Sequence, residues 1–188
     1  MHRYKRLFAV AAFLGLLFVV FQVSGLRENF SLTFLHQRLL ENQISGMAIF
    51  ILLFSLGNLI QIPGWVFLAA AVLALGEARG GVVTYLAAVI SCAFTFWLVR
   101  LIGGDALRQV KGKWAIRLLA ELDAHPIRNI VILRILLQTV PALNYALAMS
   151  GVKFRDYLIA TLLGLPLPIA LYCIFFEYLA RMLHIAVF

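Results

Sequence analysis

Long apolar runs separated by short polar punctuation fill this chain, and the length of each run decides what it predicts. Leu7 to Val23 carries no charge and follows a basic Arg3-Tyr4-Lys5-Arg6. A secretory signal peptide has that layout. Here the run is longer than usual, and no small-x-small cleavage site stands near Phe21–Gly25, so a retained transmembrane helix is expected over residues 7–25. Leu26–Ser45 mixes Arg27, Glu28, Arg38 and Glu41 with Phe30, Phe34 and Leu39. That pattern predicts an amphipathic helix at the membrane interface, a plain connecting loop being the alternative.

The next run breaks in its middle. Gly46–Ile60 is apolar but for Ser55 and Asn58, then comes Gln61-Ile62-Pro63-Gly64, then Trp65–Leu75. The second piece would extend about 17 Å as a helix, against a hydrocarbon core of about 30 Å, so it cannot span. No charge flanks the Pro-Gly, as an aqueous loop would require. A re-entrant hairpin of two half-helices breaking at Pro63 and Gly64 is therefore predicted. Gly81–Ile102 is long enough for a full span.

The pattern then returns. Residues 103–128 form a polar stretch with Arg108, Lys111, Lys113, Arg117 and Arg128 against Asp105, Glu121 and Asp123. This predicts a cytoplasmic basic amphipathic helix. Asn129–Val140 is short and apolar except for Arg134, Gln138 and Thr139; Pro141 interrupts it, and Ala142–Val152 is again too short to span. After Lys153-Phe154-Arg155 comes a long apolar segment from Tyr157 to about Phe176, which Pro166 and Pro168 should kink. The first repeat thus covers residues 44–102 and the second 129–178, within one membrane domain of residues 1–188. Broken hydrophobic segments at corresponding positions of two halves point to a transporter-type site. The predicted fold is all-α and integral to the membrane: an inverted repeat of re-entrant helical hairpin plus transmembrane helix, with an extra N-terminal transmembrane helix. With the N-terminus cytoplasmic, ten Lys and Arg residues lie inside against four outside, as the positive-inside rule requires.

Composition agrees with this frame. The apolar fraction of 64% and charged fraction of 13% leave too little polar surface for a soluble domain. The net charge of +8 does not indicate nucleic-acid binding, because the cations flank apolar runs and form no aromatic-interleaved basic module. They read as topology signals and contacts to anionic headgroups. Cys92 and Cys173 lie singly in apolar runs and are expected to be small buried hydrophobes, with no metal or cofactor implied. No HExxH, no paired-Asp transferase motif and no Gly-x-Ser-Gly occurs, and Ser150-Gly151 has no intramembrane histidine, so no enzyme is expected.

Several residues carry a more specific likeness. Pro63-Gly64, Gly76, Gly81 and Arg100-x-x-Gly103 lie in the first half; Leu133-Arg134, Pro141, Asn144-Tyr145, Gly151, Tyr157, Thr161-x-x-Gly164 and Pro166 lie in the second. Over roughly residues 56–172 the chain resembles the DedA superfamily, the SNARE-associated Golgi or VTT-domain membrane proteins. The resemblance implies two re-entrant hairpins in an inverted repeat and the movement of lipid between leaflets, as in scramblase-like and undecaprenyl-phosphate-translocating members. Many bacterial members carry an acid before the first hairpin's proline, where proton coupling is placed; this chain offers only Asn58 and Gln61. The first of two prolines usual in the second hairpin is also missing, near Leu137-Gln138.

The candidate site follows from these positions. Arg134 is a guanidinium inside an apolar run, costly at mid-bilayer. Two readings stand: a clasp on carbonyls freed at the hairpin break, or a fork that grips a lipid phosphate. Asn58, Gln61, Gln138, Thr139 and Asn144 sit beside the breaks, where amides and hydroxyls can bond unpaired backbone or substrate. Arg100 is expected to snorkel. Glu177 is a possible proton carrier, with Arg181 its default i,i+4 partner. The tryptophans and tyrosines are read as interfacial or packing residues. The expected function is translocation of an anionic lipid (polyprenyl phosphate or phospholipid) in a bacterial inner membrane, with lipids as partners and a homo-oligomer possible. The alternatives are a proton- or ion-coupled carrier of a small solute and a non-transporting scaffold.

Overall fold

The computed structural model describes residues 43–109, 113–137 and 140–182, with six positions near the N-terminus (10, 12, 13, 15, 16 and 19) that are helical. The rest of the predicted span at residues 7–25, and the interfacial helix before residue 43, lie outside the described residues. The order is α1 (Gln43–Leu59), α2 (Gly64–Leu75), α3 (Glu77–Gly103), a 3₁₀ turn (Ala106–Gln109), α4 (Lys113–Ala124), α5 (Pro126–Leu137), α6 (Pro141–Met149), α7 (Phe154–Gly164) and α8 (Pro166–Met182).

Helix ends follow the punctuation. α1 closes by a Schellman-type turn, in which the Ile62 amide donates to the Gly57 carbonyl at 2.8 Å and Gln61 takes the left-handed position at φ 68°. Glycine usually holds that place, and a side chain there is strained by about 1–2 kcal/mol. Pro63 then precedes α2 in extended conformation. Pro141 opens α6 at its first turn, where the missing N–H costs nothing.

Boundaries differ from expectation at four places. The third helix begins at Glu77 rather than residue 81. The amphipathic helix expected within the polar stretch 103–128 is α4, preceded by the 3₁₀ turn, and Pro126–Arg128 already belong to α5. Proline's preference for a first helical turn explains that shift. The long final run starts at Phe154, ahead of Tyr157, and is interrupted once, at Leu165, where Pro166 begins α8; Pro168 lies within α8's first turn and breaks nothing.

Among the described residues two helical stretches are long and apolar enough to cross a membrane, Glu77–Gly103 and Phe154–Leu179. At 27 residues α3 is roughly 40 Å long, whereas α2, α5 and α6 reach less than about 20 Å. Along α3, Val82, Leu86, Ile90, Phe94, Trp97 and Leu101 are all exposed, a stripe at three- and four-residue spacing that follows one helix face. A water-soluble protein rarely leaves so long an apolar face open; lipid is its natural solvent. The opposite face of α3 carries Gly80, Ala87, Ala88 and Ser91, all buried, the small residues through which membrane helices approach closely. A Cβ at Gly80 would lie 2.5 Å from the Ala71 carbonyl oxygen of α2.

The packing is patterned. α1 lies on α3 as α5 lies on α7, while α2 packs against both α3 and α8, and α6 crosses onto α3. Two apolar clusters result: Phe50, Phe54 and Phe67 anchor one, Phe96, Ile130 and Tyr157 the other.

One contact at the end of α6 depends on a glycine. Gly151 has φ 86°, and a Cβ there would collide with the Arg108 guanidinium, which donates from Nε to the Ser150 carbonyl at 2.7 Å. Gly151→Ala is expected to lose about 1–3 kcal/mol of stability in detergent through backbone strain and displacement of Arg108. In an Arg108→Ala background the loss should shrink, because the collision is gone. Equal losses in both backgrounds, read by unfolding curves, would show that the collision contributes nothing.

Candidate functional site

Between the two apolar clusters lies a layer of polar side chains contributed by α1, α3, α5, α6 and α7. Asn58, near the end of α1, donates from Nδ2 to Ser91 Oγ at 3.0 Å and to Thr95 Oγ1 at 3.4 Å on α3. Its Oδ1 accepts from Asn144 Nδ2 of α6 at 3.2 Å. Asn144 Oδ1 in turn accepts from the Tyr157 hydroxyl of α7 at 3.1 Å and from the Cys92 thiol at 3.5 Å. The Tyr157 hydroxyl also lies 3.1 Å from the Cys92 carbonyl and accepts from Arg134 Nη2 at 2.8 Å. Arg134 Nη2 reaches Thr161 Oγ1 at 3.2 Å as well. A continuous hydrogen-bonded path thus joins Ser91 to Thr161 across α1, α6, α7 and α5.

Arg134 is the centre of charge in this layer. It is fully buried, at 0% exposure, with its guanidinium carbon 5.2 Å from the centre of the Tyr157 ring. Its Nε has no partner. A Cβ at Gly164 would sit 2.7 Å from Arg134 Cβ, so α5 and α7 meet here at a distance only glycine permits. Among the described residues its hydrogen-bond partners are hydroxyls of α7. Both keep other bonds. Thr161 Oγ1 donates to the Tyr157 carbonyl at 2.7 Å, and Tyr157 holds Cys92 and Asn144. The guanidinium is therefore an addition to a layer that is hydrogen-bonded without it.

The open end of α1 is sealed by α6. The Tyr145 hydroxyl of α6 lies 2.8 Å from both the Asn58 and Leu59 carbonyls, groups that α1 leaves open at its C-terminal end. Amides near the breaks were expected to do this; instead Asn58 and Asn144 bond each other, and a tyrosine read as a packing residue satisfies the backbone. Tyr145→Phe should cost about 1–2 kcal/mol in detergent, since the single O–H shared between the two carbonyls is lost. An unfolding curve superimposable on the parent's would sink that role.

The other candidates stand apart in different ways. Gln61 is exposed at the strained turn and meets the Tyr145 side chain through a hydrogen bond. Gln138 and Thr139 lie outside the described residues. Glu177 is half-buried in α8 and engaged in an interaction, while the Arg181 side chain is outside the described residues. Arg100 does more than snorkel: it donates to Asp105 and to the Val152 carbonyl, each at 2.8 Å, and lies 4.9 Å from the Phe96 ring centre. Ser150 has a structural part, its hydroxyl donating to the Leu147 carbonyl at 2.8 Å. Trp65 and Trp97 are exposed. Sequence reasoning missed Ser91, Thr95, Thr161, Tyr157 and Tyr145 as members of the polar layer. The signal available was the coincidence of small polar residues at 91 and 95, one helical turn apart, on an otherwise apolar span.

Among the described residues no group of three or more His, Cys, Asp or Glu is placed to hold a metal ion. Comparison with curated proteins and with solved structures gave no match. The model of the VTT domain matches residues 62–178, a span that contains α2 through most of α8 and, with them, Arg134, Asn144, Tyr145, Tyr157 and Thr161. With the match covering well over half of its length, the chain belongs to the VTT-domain family, the DedA/SNARE-associated Golgi family of membrane proteins.

Proposed function

We propose that this chain carries an anionic lipid headgroup between the two leaflets, with Arg134 as the group that receives the phosphate. The observation that carries the reading is a fully buried guanidinium whose Nε is unpartnered and whose neighbours are hydrogen-bonded without it. Burying a cation in that state is costly. Such an arrangement makes sense for a fork kept ready for a bidentate anion, which a phosphate supplies.

In this reading α1–α2 and α5–α6 are re-entrant hairpins of an inverted repeat. Their short lengths and the crossed packing of α2 on α8 and α6 on α3 support it. The polar layer would hydrate transiently and pass the headgroup while the tails remain in lipid beside α3 and α8. The chain is then a multi-pass protein of a bacterial inner membrane, and the distribution of its basic residues supports a cytoplasmic N-terminus. Its partners are lipids with anionic headgroups, whether polyprenyl phosphate or phospholipid. It acts as a translocator and not as an enzyme, and self-association is compatible with the exposed faces.

Flux of fluorescent phosphatidylglycerol, read by dithionite quenching in proteoliposomes, is the direct test. The expected result is equilibration of both leaflets only in vesicles containing protein. A scaffold would leave the outer-leaflet fraction at its protein-free value, and a carrier of small solutes would do the same.

A further inference from the structure

We infer that a cavity beside α5 and α6 holds one acyl chain of a bilayer phospholipid. The cavity, about 550 Å³ in volume, lies between α4, α5 and α6 and is walled by Leu119, Leu122, Ile132, Leu133, Leu143 and Leu147. Leu133 and Leu143 are the neighbours in sequence of Arg134 and Asn144, so α5 and α6 turn adjacent faces to the polar layer and to this cavity.

Its chemistry selects hydrocarbon. The polar side chains among its lining residues are those of Glu121, Asn129 and Ser150. Asn129 Nδ2 already donates to the Glu121 carbonyl at 2.6 Å, and the Ser150 hydroxyl to the Leu147 carbonyl. Little remains to orient a polar ligand. Water does not fill an apolar cavity lacking polar partners, and a void of this size forfeits the dispersion contacts of all its walls. The volume falls within the roughly 300–1,000 Å³ of small-molecule sites. The source of the occupant follows from the mouth: Ile132 lines the cavity yet is 46% exposed, and Ile135 and Leu136 beside it on α5 are exposed too. An apolar surface continuous with the opening puts lipid chains at the entrance.

The cavity also has a fastening. Asp123 of α4 pairs with Arg108, the nearer contact to Nη2 and a second of 3.1 Å to Nη1, and Arg108 Nε holds the Ser150 carbonyl at the end of α6. These bonds tie α4 to α6 and keep the cavity walled.

The choice of occupant rests on the reading of the chain as a lipid-handling protein; the site itself does not require transport. The test is photolabelling of the full-length protein in vesicles with phosphatidylglycerol bearing a diazirine in one acyl chain, with labelled positions mapped by mass spectrometry. Peptides holding Leu119, Ile132 and Ala146 are expected to take up several-fold more label than the lipid-facing Leu86 and Ile90. Filling the cavity by Ala146→Phe, or blocking its mouth by Ile132→Trp, should cut that excess about tenfold and leave Leu86 and Ile90 labelling unchanged. Unfolding curves in detergent show which of the two variants remains folded. Labelling no greater than at Leu86 and Ile90, or an excess that survives in both folded variants, would overturn the site. Because the readout is labelling, excess label without flux upholds the cavity while rejecting translocation, and flux without excess label does the reverse.

Discussion

Arg134→Met should yield a protein at least as stable as the parent and nearly inactive in lipid flux. The two expectations come from the same geometry. The guanidinium is fully buried with an unpartnered Nε, and replacing a buried ion by an apolar side chain of similar length is often neutral or stabilising by roughly 1–4 kcal/mol. Its two α7 partners keep other bonds: Tyr157 retains Cys92 and Asn144, and Thr161 retains the Tyr157 carbonyl. Flux should nevertheless fall by more than about tenfold, since the phosphate loses a charge-assisted bidentate partner worth well over 1.4 kcal/mol. Arg134→Lys should lose most of the activity too, keeping the charge but not the planar fork. The paired measurements are unfolding in detergent and dithionite-quench flux in proteoliposomes. A destabilised Arg134→Met protein whose flux falls only in proportion to its folded fraction would make Arg134 a structural clasp. Full flux in a well-folded variant would remove it from the mechanism.

Collapsing the proton gradient should leave wild-type flux unchanged. In the polar layer the position nearest the first hairpin's break is Asn58, an amide fully engaged with Ser91, Thr95 and Asn144, and an amide exchanges no proton between pH 5 and pH 9, taken as about the accessible range. Glu177 lies on α8, away from these contacts, and Glu177→Gln should also transport as the parent does. Asn58→Asp places a titratable carboxylate among three groups that can donate to it: the Ser91 and Thr95 hydroxyls and the Asn144 amide. That variant should acquire a pH-dependent flux where the parent has none. Flux with and without a protonophore, for the parent and both variants, decides the matter. If the protonophore and Glu177→Gln each abolish parent flux, Glu177 carries a proton and passive translocation is wrong.

Much of the helical frame was legible in one dimension. Runs too short to span, Pro63-Gly64 and Pro141 at their breaks, and a long unbroken run over α3 are statements about local solvent preference and backbone restriction, which each residue carries with it. Arg134 was visible for the same reason: a charge in an apolar run is conspicuous wherever the chain folds. Segment edges near prolines were less so, because Pro126 and Pro166 start helices while Pro168 sits quietly inside a first turn.

Partnership was decided only by the tertiary structure. Asn58 and Asn144 are 86 positions apart, and nothing local to either marks the other as its partner; their pairing exists because α1 and α6 pack on the same helix. Tyr145 and Tyr157 look like any aromatic in an apolar segment until folding sets one hydroxyl over the open end of α1 and the other between Arg134 and Asn144. Whether a residue avoids water is a property of its own side chain and is written along the chain. Which donor meets which acceptor depends on separations of about 3 Å between segments, and no local pattern encodes those.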